Sequence, residues 1–122
     1  MQTTCACCGS KVEQVVSGKE IYPHRQDLYS LKFYLCDCGA YVGTHKGTEY
    51  PLGTCADAAL RTLRGKCHKA FDPLWKHTSV FSSRADAYAW LYAELKVAHI
   101  AEANKQQCKE ILKTLEQASW QD

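Results

Sequence analysis

Five of the chain's eight cysteines stand in two short clusters, Cys5-Ala6-Cys7-Cys8-Gly9 and Cys36-Asp37-Cys38-Gly39. Zinc takes four thiolates at about 2.3 Å, usually two from each of two tight turns, so paired clusters of this kind read as the two halves of one tetrahedral site. Cys5 and Cys8 have the common C-x-x-C spacing. Gly9 directly after them suits a knuckle, where the chain turns sharply while backbone N–H groups point at the sulfurs. The second cluster repeats the terminal Cys-Gly but leaves one residue between its cysteines. A C-x-C pair can still chelate, with Cys7 or His45 as the alternative fourth ligand. The expected set is Cys5, Cys8, Cys36 and Cys38, holding Zn²⁺. The competing reading is a group of reduced or disulfide-linked cysteines that bind nothing. A catalytic zinc keeps a position open for water, and four thiolates leave none, so the metal is expected to be structural. Binding by only three cysteines, completed by His45 or water, is the route to a reactive metal.

Length and composition bound what surrounds this site. At 122 residues the chain is one domain's worth, with a modest core that a metal staple would help. No secretory signal precedes the first cluster, and no apolar run approaches the roughly 20 residues of a membrane span, so the protein is expected to be soluble, cytoplasmic and without a membrane partner. Disulfides are rare in a reducing cytosol, which turns eight cysteines toward metal. The net charge of +2 with neutral histidines selects no partner; only local patches can.

Hydropathy period and turn residues mark out the strands and helices around the two clusters. Residues 11–16 and 19–22 form a hairpin around Ser17-Gly18. Residues 31–36 alternate as a half-buried strand, with Leu31, Phe33 and Leu35 on one face and Lys32, Tyr34 and Cys36 on the other, and residues 40–43 return. Strand, knuckle, strand, twice over, is the plan of a zinc ribbon, decorated by loops at 23–30 and 44–53. From Thr54 the period changes. Leu60, Leu63, Cys67 and Phe71 fall within about 80 degrees on a helical wheel, behind a capping box of Thr54 and Asp57. Asp72-Pro73 ends that helix and starts a turn carrying Leu74 and Trp75. A helix capped by Ser83 and Asp86 buries Ala87, Tyr88, Leu91 and Leu95; another, capped by Asn104 and Gln107, buries Cys108, Ile111, Leu112 and Leu115. The expectation is an α+β chain forming a single domain over 1–122: a zinc-ribbon-like β part with two Cys-Gly knuckles over 1–53, then about three α-helices over 54–122.

Further residues in order strengthen the first cluster: Ile21-Tyr22-Pro23-His24-Arg25, then Cys38-Gly39-Ala40-Tyr41-Val42-Gly43 with His45-Lys46-Gly47-Thr48, then Pro51-Leu52-Gly53. Leu60 to Arg64, His68, Phe71-Asp72-Pro73-Leu74-Trp75, Arg84, Ala87-Tyr88, Trp90-Leu91, His99-Ile100 and Gln107-Cys108 follow. This series resembles the zinc-finger-containing domain family of bacteriophages and prophage-bearing bacteria, over nearly the whole chain. The chain departs from the family's pattern in its second knuckle, one residue shorter than C-x-x-C-G, and at Ala101, where Gly is common. The resemblance implies zinc binding and a home in phage or mobile-element genomes, hence in a bacterial host cell. It implies no activity.

Three kinds of action remain. Arg61, Arg64 and His68 lie within about 60 degrees along one flank of the first long helix, and with Lys69, Arg25 and Lys46 they form a candidate nucleic-acid-binding set. Tyr22, Tyr29, Tyr34 and Tyr50 would add stacking surface; alternatively the basic flank is simply solvated and the tyrosines fill the core. Trp90 and Trp120 are candidate anchors for a host protein, since aromatic residues dominate interface hot spots. An enzyme would use His24, Arg25, Asp27, His45, Lys46 or Thr48, yet no H-E-x-x-H, phosphate-binding glycine loop or G-x-S-x-G is present. Cys67 and Cys108 read as small hydrophobes, and Cys55 as the start of a helix whose dipole lowers its pKa. The order of expectation is a non-enzymatic nucleic-acid-binding module, then a protein-interaction module or inhibitor of a host factor in takeover or counter-defence, then a nucleic-acid-processing enzyme.

Overall fold

The computed structural model describes residues 1–118, which fall into two units, Met1–Ala58 and Ala59 onward. In the first, β1 (Thr3–Thr4) pairs antiparallel with β2 (Lys11–Val12), Thr3 opposite Val12 and Thr4 opposite Lys11. The first Cys cluster is the connection between them. A second sheet runs in the order β3 (Val15–Ser17), β4 (Lys32–Leu35), β5 (Tyr41–Gly43), again antiparallel, and the second cluster joins β4 to β5. With the helices that follow, the architecture is α+β with a zinc-ribbon-like part.

The hairpin expected around Ser17-Gly18 does not form. β2 pairs with β1, β3 pairs with β4, and Gly18–Ile21 is a single helical turn, α1. Alternation identifies a strand but carries no information about its partner. Gly18 is there because of a close approach: its N–H donates to the Leu31 carbonyl at 2.8 Å, and a Cβ would fall 1.7 Å from the Leu28 carbonyl oxygen.

β4 also differs from its expected half-buried form. Leu31 is 40% exposed, whereas Tyr34 and Cys36 are buried. β4 is the central strand, paired along both edges, and side chains pack on both of its faces as well. On one, Phe33 meets Tyr22 and Tyr41 edge-on at centroid separations of 5.8 and 5.9 Å. On the other, Tyr34 and Cys36 pack with Cys5, Val12, Ala40 and Cys55, and the Tyr34 hydroxyl donates to the Glu49 carbonyl at 2.7 Å. Beyond β5 the chain continues as an irregular hairpin, closed by a bridge between Thr44 and Pro51 and by the turn at His45–Thr48, whose Gly47 has φ +75.

The second unit is helical. α2 (Ala58–Phe71) starts later than expected, because Cys55 and Ala56 lie in β-bridges to Cys5 and Tyr41. Its buried stripe holds Leu60, Cys67 and Phe71 as predicted, with Arg64 buried alongside them and Leu63 only half-buried. Asp72 keeps helical dihedrals (φ −60, ψ −37) despite the proline that follows. Its N–H bonds the His68 carbonyl and its carbonyl accepts from Lys76 N–H, so Pro73 punctuates the chain between α2 and α3 (Pro73–Lys76) rather than turning it away.

α4 (Arg84–Leu95) is capped by Ser83, whose Oγ accepts from the Asp86 N–H at 3.1 Å. α5 (Lys105–Gln117) opens with the full capping box of Asn104 and Gln107, both bonds 2.8 Å. Ala87, Tyr88, Leu91, Cys108, Ile111 and Leu115 are buried as expected, while Leu95 and Leu112 are half-buried. No described helix is long and apolar enough to cross a membrane.

Gly18→Ala is expected to lower the stability of the chain by about 2–3 kcal/mol or more, since the colliding atom is backbone and cannot step aside. Chemical denaturation measures this, and an unchanged midpoint would contradict the close approach.

Candidate metal centre

Both clusters fold by one hydrogen-bond plan. In the first, the Cys5 N–H donates to the Ser10 carbonyl and the Gly9 N–H to the Cys5 carbonyl, both at 2.8 Å. In the second, the Cys36 N–H donates to the Ala40 carbonyl at 2.8 Å and the Gly39 N–H to the Cys36 carbonyl at 2.9 Å. Gly9 (φ +79) and Gly39 (φ +97) take the left-handed conformation that closes each turn, where a side chain would be strained. The missing residue in the second cluster shortens the inner bond from a four-residue to a three-residue span and leaves the outer bond and the glycine in place. A C-x-C knuckle therefore presents its sulfurs much as a C-x-x-C knuckle does.

The two knuckles meet. The Sγ atoms of Cys5, Cys8, Cys36 and Cys38 all lie within 4.8 Å of one another, with Cys5 to Cys38 at 3.6 Å and Cys8 to Cys36 at 3.5 Å. A disulfide needs about 2.05 Å, and all four cysteines are free. A regular tetrahedron of sulfurs with bonds of about 2.3 Å has edges of about 3.8 Å, so the donor set has the chemistry and the dimensions of a metal site, and thiolates of this number suit zinc. Cys5 and Cys36 are buried, whereas Cys8 and Cys38 are exposed. The Cys7 N–H points at the Cys5 sulfur, 3.4 Å away, where it can stabilise a thiolate's negative charge.

The thiols are electrostatically unequal. The Ser10 hydroxyl and backbone, with the Cys36 thiol, pull Cys8 down to about 6. At Cys36 the Cys38 backbone N–H pulls downward, but burial and the neighbouring thiols outweigh it and push the group up to about 12. Cys38 is raised as well: the Ala40 backbone and the Cys36 thiol pull it down, and the Cys5 and Cys8 thiols with partial burial prevail.

Neither alternative ligand joins the group. The Cys7 thiol is raised, chiefly by burial, and exchanges hydrogen bonds with Asp57. His45 sits in the hairpin beyond β5, with its N–H on the Tyr50 carbonyl at 2.9 Å.

One element of the centre escaped the sequence. Cys55-Ala56 is a clasp rather than a helix start: the Cys55 N–H donates to the Thr4 carbonyl and its carbonyl accepts from Ala6, at 2.9 and 3.0 Å, while Ala56 exchanges both bonds with Tyr41 at 3.0 and 3.1 Å. The Cys55 thiol is buried and donates to the Tyr34 carbonyl, far from the reactive role a helix N-terminus would give it. The one signal available was a small, apolar Cys-Ala pair just before the helical period begins.

The basic candidates are dispersed. Arg64 is 8% exposed, with Nε donating to the Ala103 carbonyl at 2.9 Å; it fills an unpaired carbonyl in the helical core and is withdrawn from any phosphate contact. His68 lies 3.6 Å from Asp72. Arg25 forms a bidentate pair with Asp27, Nε to Oδ1 at 3.0 Å and Nη2 to Oδ2 at 2.8 Å, which raises the arginine and lowers the carboxyl. Lys46 and Lys69 are exposed and Arg61 is half-buried. Trp90 is half-buried, its ring 5.6 Å from Phe81. Trp120 lies outside the described residues.

Against known proteins, the family described as zinc-finger-containing domain matches residues 1–118. No curated protein and no solved structure matches the chain.

Because a thiol binds metal only after losing its proton, and Cys36 and Cys38 hold theirs above the usual range, metal affinity is expected to rise with pH by about two decades per unit or more near neutrality. Below about pH 6, where Cys8 also takes up a proton, the slope steepens. Competition with a chromogenic chelator between pH 6 and 8 measures this; an affinity flat in pH would exclude these thiols as ligands.

Proposed function

Since the chain belongs to the zinc-finger-containing domain family over residues 1–118, we propose that Cys5, Cys8, Cys36 and Cys38 hold one structural zinc ion, and that the ribbon fastened by it serves a non-enzymatic nucleic-acid-binding module. The observation that carries the metal assignment is the convergence of four free thiols, from two matching knuckles, within 4.8 Å. Bound there, zinc supplies a crosslink between the two hairpins, and a complete thiolate shell leaves no place for a reacting water. The surrounding residues support this task. Cys5 and Cys36 are set in the same small core as Val12, Tyr34 and Cys55, so two ligands are positioned by packing before any ion arrives.

Nucleic-acid binding is supported by exposed cations, Lys46 in the ribbon and Lys69 on α2, and by Tyr50, which is 60% exposed. Arg64 is buried and lost to the helix flank, and Arg25 is paired with Asp27 within the ribbon, so on the ribbon Lys46 and Tyr50 carry this reading. The setting implied by the resemblance, a phage or prophage gene read in a bacterial cytoplasm, suits thiolates that must stay reduced.

Native mass spectrometry of the wild type and of Cys38→Ser tests the metal. One zinc per wild-type chain is expected, with the ion lost or held far more weakly in the variant, which keeps three of the four thiolates. A wild type without zinc, or a variant that keeps it equally well, would refute the ligand set.

A further inference from the structure

Beside the β4 and β5 strands lies a small surface cavity of about 140 Å³, lined by Ser30, Lys32, Thr44, Lys46, Gly47 and Thr48. Taking about 30 Å³ per water, it holds on the order of five waters, enough for one hydrated anionic group and too little for a nucleobase with its sugar. Its donors are unevenly committed. Thr44 and Thr48 give their hydroxyl protons to the carbonyls of Lys32 and His45, at 3.1 and 2.8 Å. The Lys32 ammonium is shared with Glu49 at 3.1 Å. Lys46 is exposed and makes no ion pair among the described residues. Among the described residues, the N–H groups of Lys46 and Gly47, in the turn that Gly47 closes with φ +75, donate to no backbone carbonyl. Two cations against one carboxylate leave this cavity net positive, and the residues of a tight turn line its wall, a setting that suits an anion.

Apolar surface sits on the same hairpin. Tyr50 is 60% exposed and Leu52 49%, and Leu31, at 40%, also lines the cavity. An exposed aromatic ring a few residues from a phosphate-sized cationic cavity is the combination that single-stranded nucleic acids use: the backbone is gripped by charge and a base stacks on the ring.

From these features we infer that the hairpin of residues 44–52 is the contact site for single-stranded nucleic acid, with one backbone phosphate in the cavity between Lys32 and Lys46 and one base against Tyr50. This rests on the nucleic-acid reading of the preceding section and moves its centre from the helix flank to the ribbon. Glu49 acts against binding by occupying Lys32, so its removal is a gain-of-function test.

The test is fluorescence anisotropy with labelled oligothymidylate and oligouridylate of about 15 nucleotides, the zinc-loaded full chain, and a series of salt concentrations. The wild type is expected to bind with a steep salt dependence. Lys46→Ala should make the slope of log affinity against log salt shallower by about 0.7, the value for one phosphate on a single strand. Tyr50→Ala should weaken binding about fivefold or more, and Glu49→Gln should tighten it. Glu49 accepts from Tyr34 through its backbone, so that exchange leaves the fold intact and a tightening is not a folding artefact. If Lys46→Ala, Tyr50→Ala and Glu49→Gln all bind as the wild type does while Lys69→Ala weakens binding, the hairpin assignment is overturned and nucleic-acid binding stands. If the wild type binds neither oligonucleotide even at low salt, or responds only to inorganic phosphate, both fall.

Discussion

The Met1–Ala58 unit depends on a two-residue segment that belongs to neither of its hairpins. Strands of two to four residues are far below what holds a sheet together in water, and β1 and β2 share no strand with the three-stranded sheet. Cys55 and Ala56 supply the missing continuity: one residue bonds Thr4 and Ala6 on the first hairpin, the next bonds Tyr41 on the second. With that clasp in place the knuckles face each other, and four sulfurs fall within bonding reach of one ion. A small core of Cys5, Val12, Tyr34, Cys36, Ala40 and Cys55 lies beneath it. The clasp and a metal bound by the four thiols would be complementary fastenings of the same joint, one through backbone and one through side chains, as expected where the buried area is too small to suffice.

The shortened second knuckle shows how much of such a turn is dispensable. The ring from the first cysteine to the residue after the glycine, and the left-handed glycine itself, are kept. Spacing between cysteines is thus a looser requirement than the position of the glycine that follows them.

What the sequence made legible divides along the same physical line. Signals that act within a few residues were readable: Cys-Gly knuckles, the Ser83 cap with Asp86, and the Asn104 box with Gln107 each satisfy local backbone donors. Features set by distant partners were not. Nothing near Ser17-Gly18 announces that Leu28 will press against it, and alternation in 31–36 cannot say that β4 will be covered on both faces. Arg64 lies on the buried stripe of α2, and a charged residue there reads as flank until its carbonyl partner, Ala103, is known. Cys55-Ala56 is too short for any period. The helical expectation therefore ran through it to Thr54.

The division of the four thiols into a buried and an exposed pair gives the cluster an inner and an outer side. Cys5 and Cys36 are held in the core, while Cys8 and Cys38 stand at its edge. A metal ion held by these four thiols would be enclosed by protein on the side of Cys5 and Cys36 and open to solvent on the side of Cys8 and Cys38.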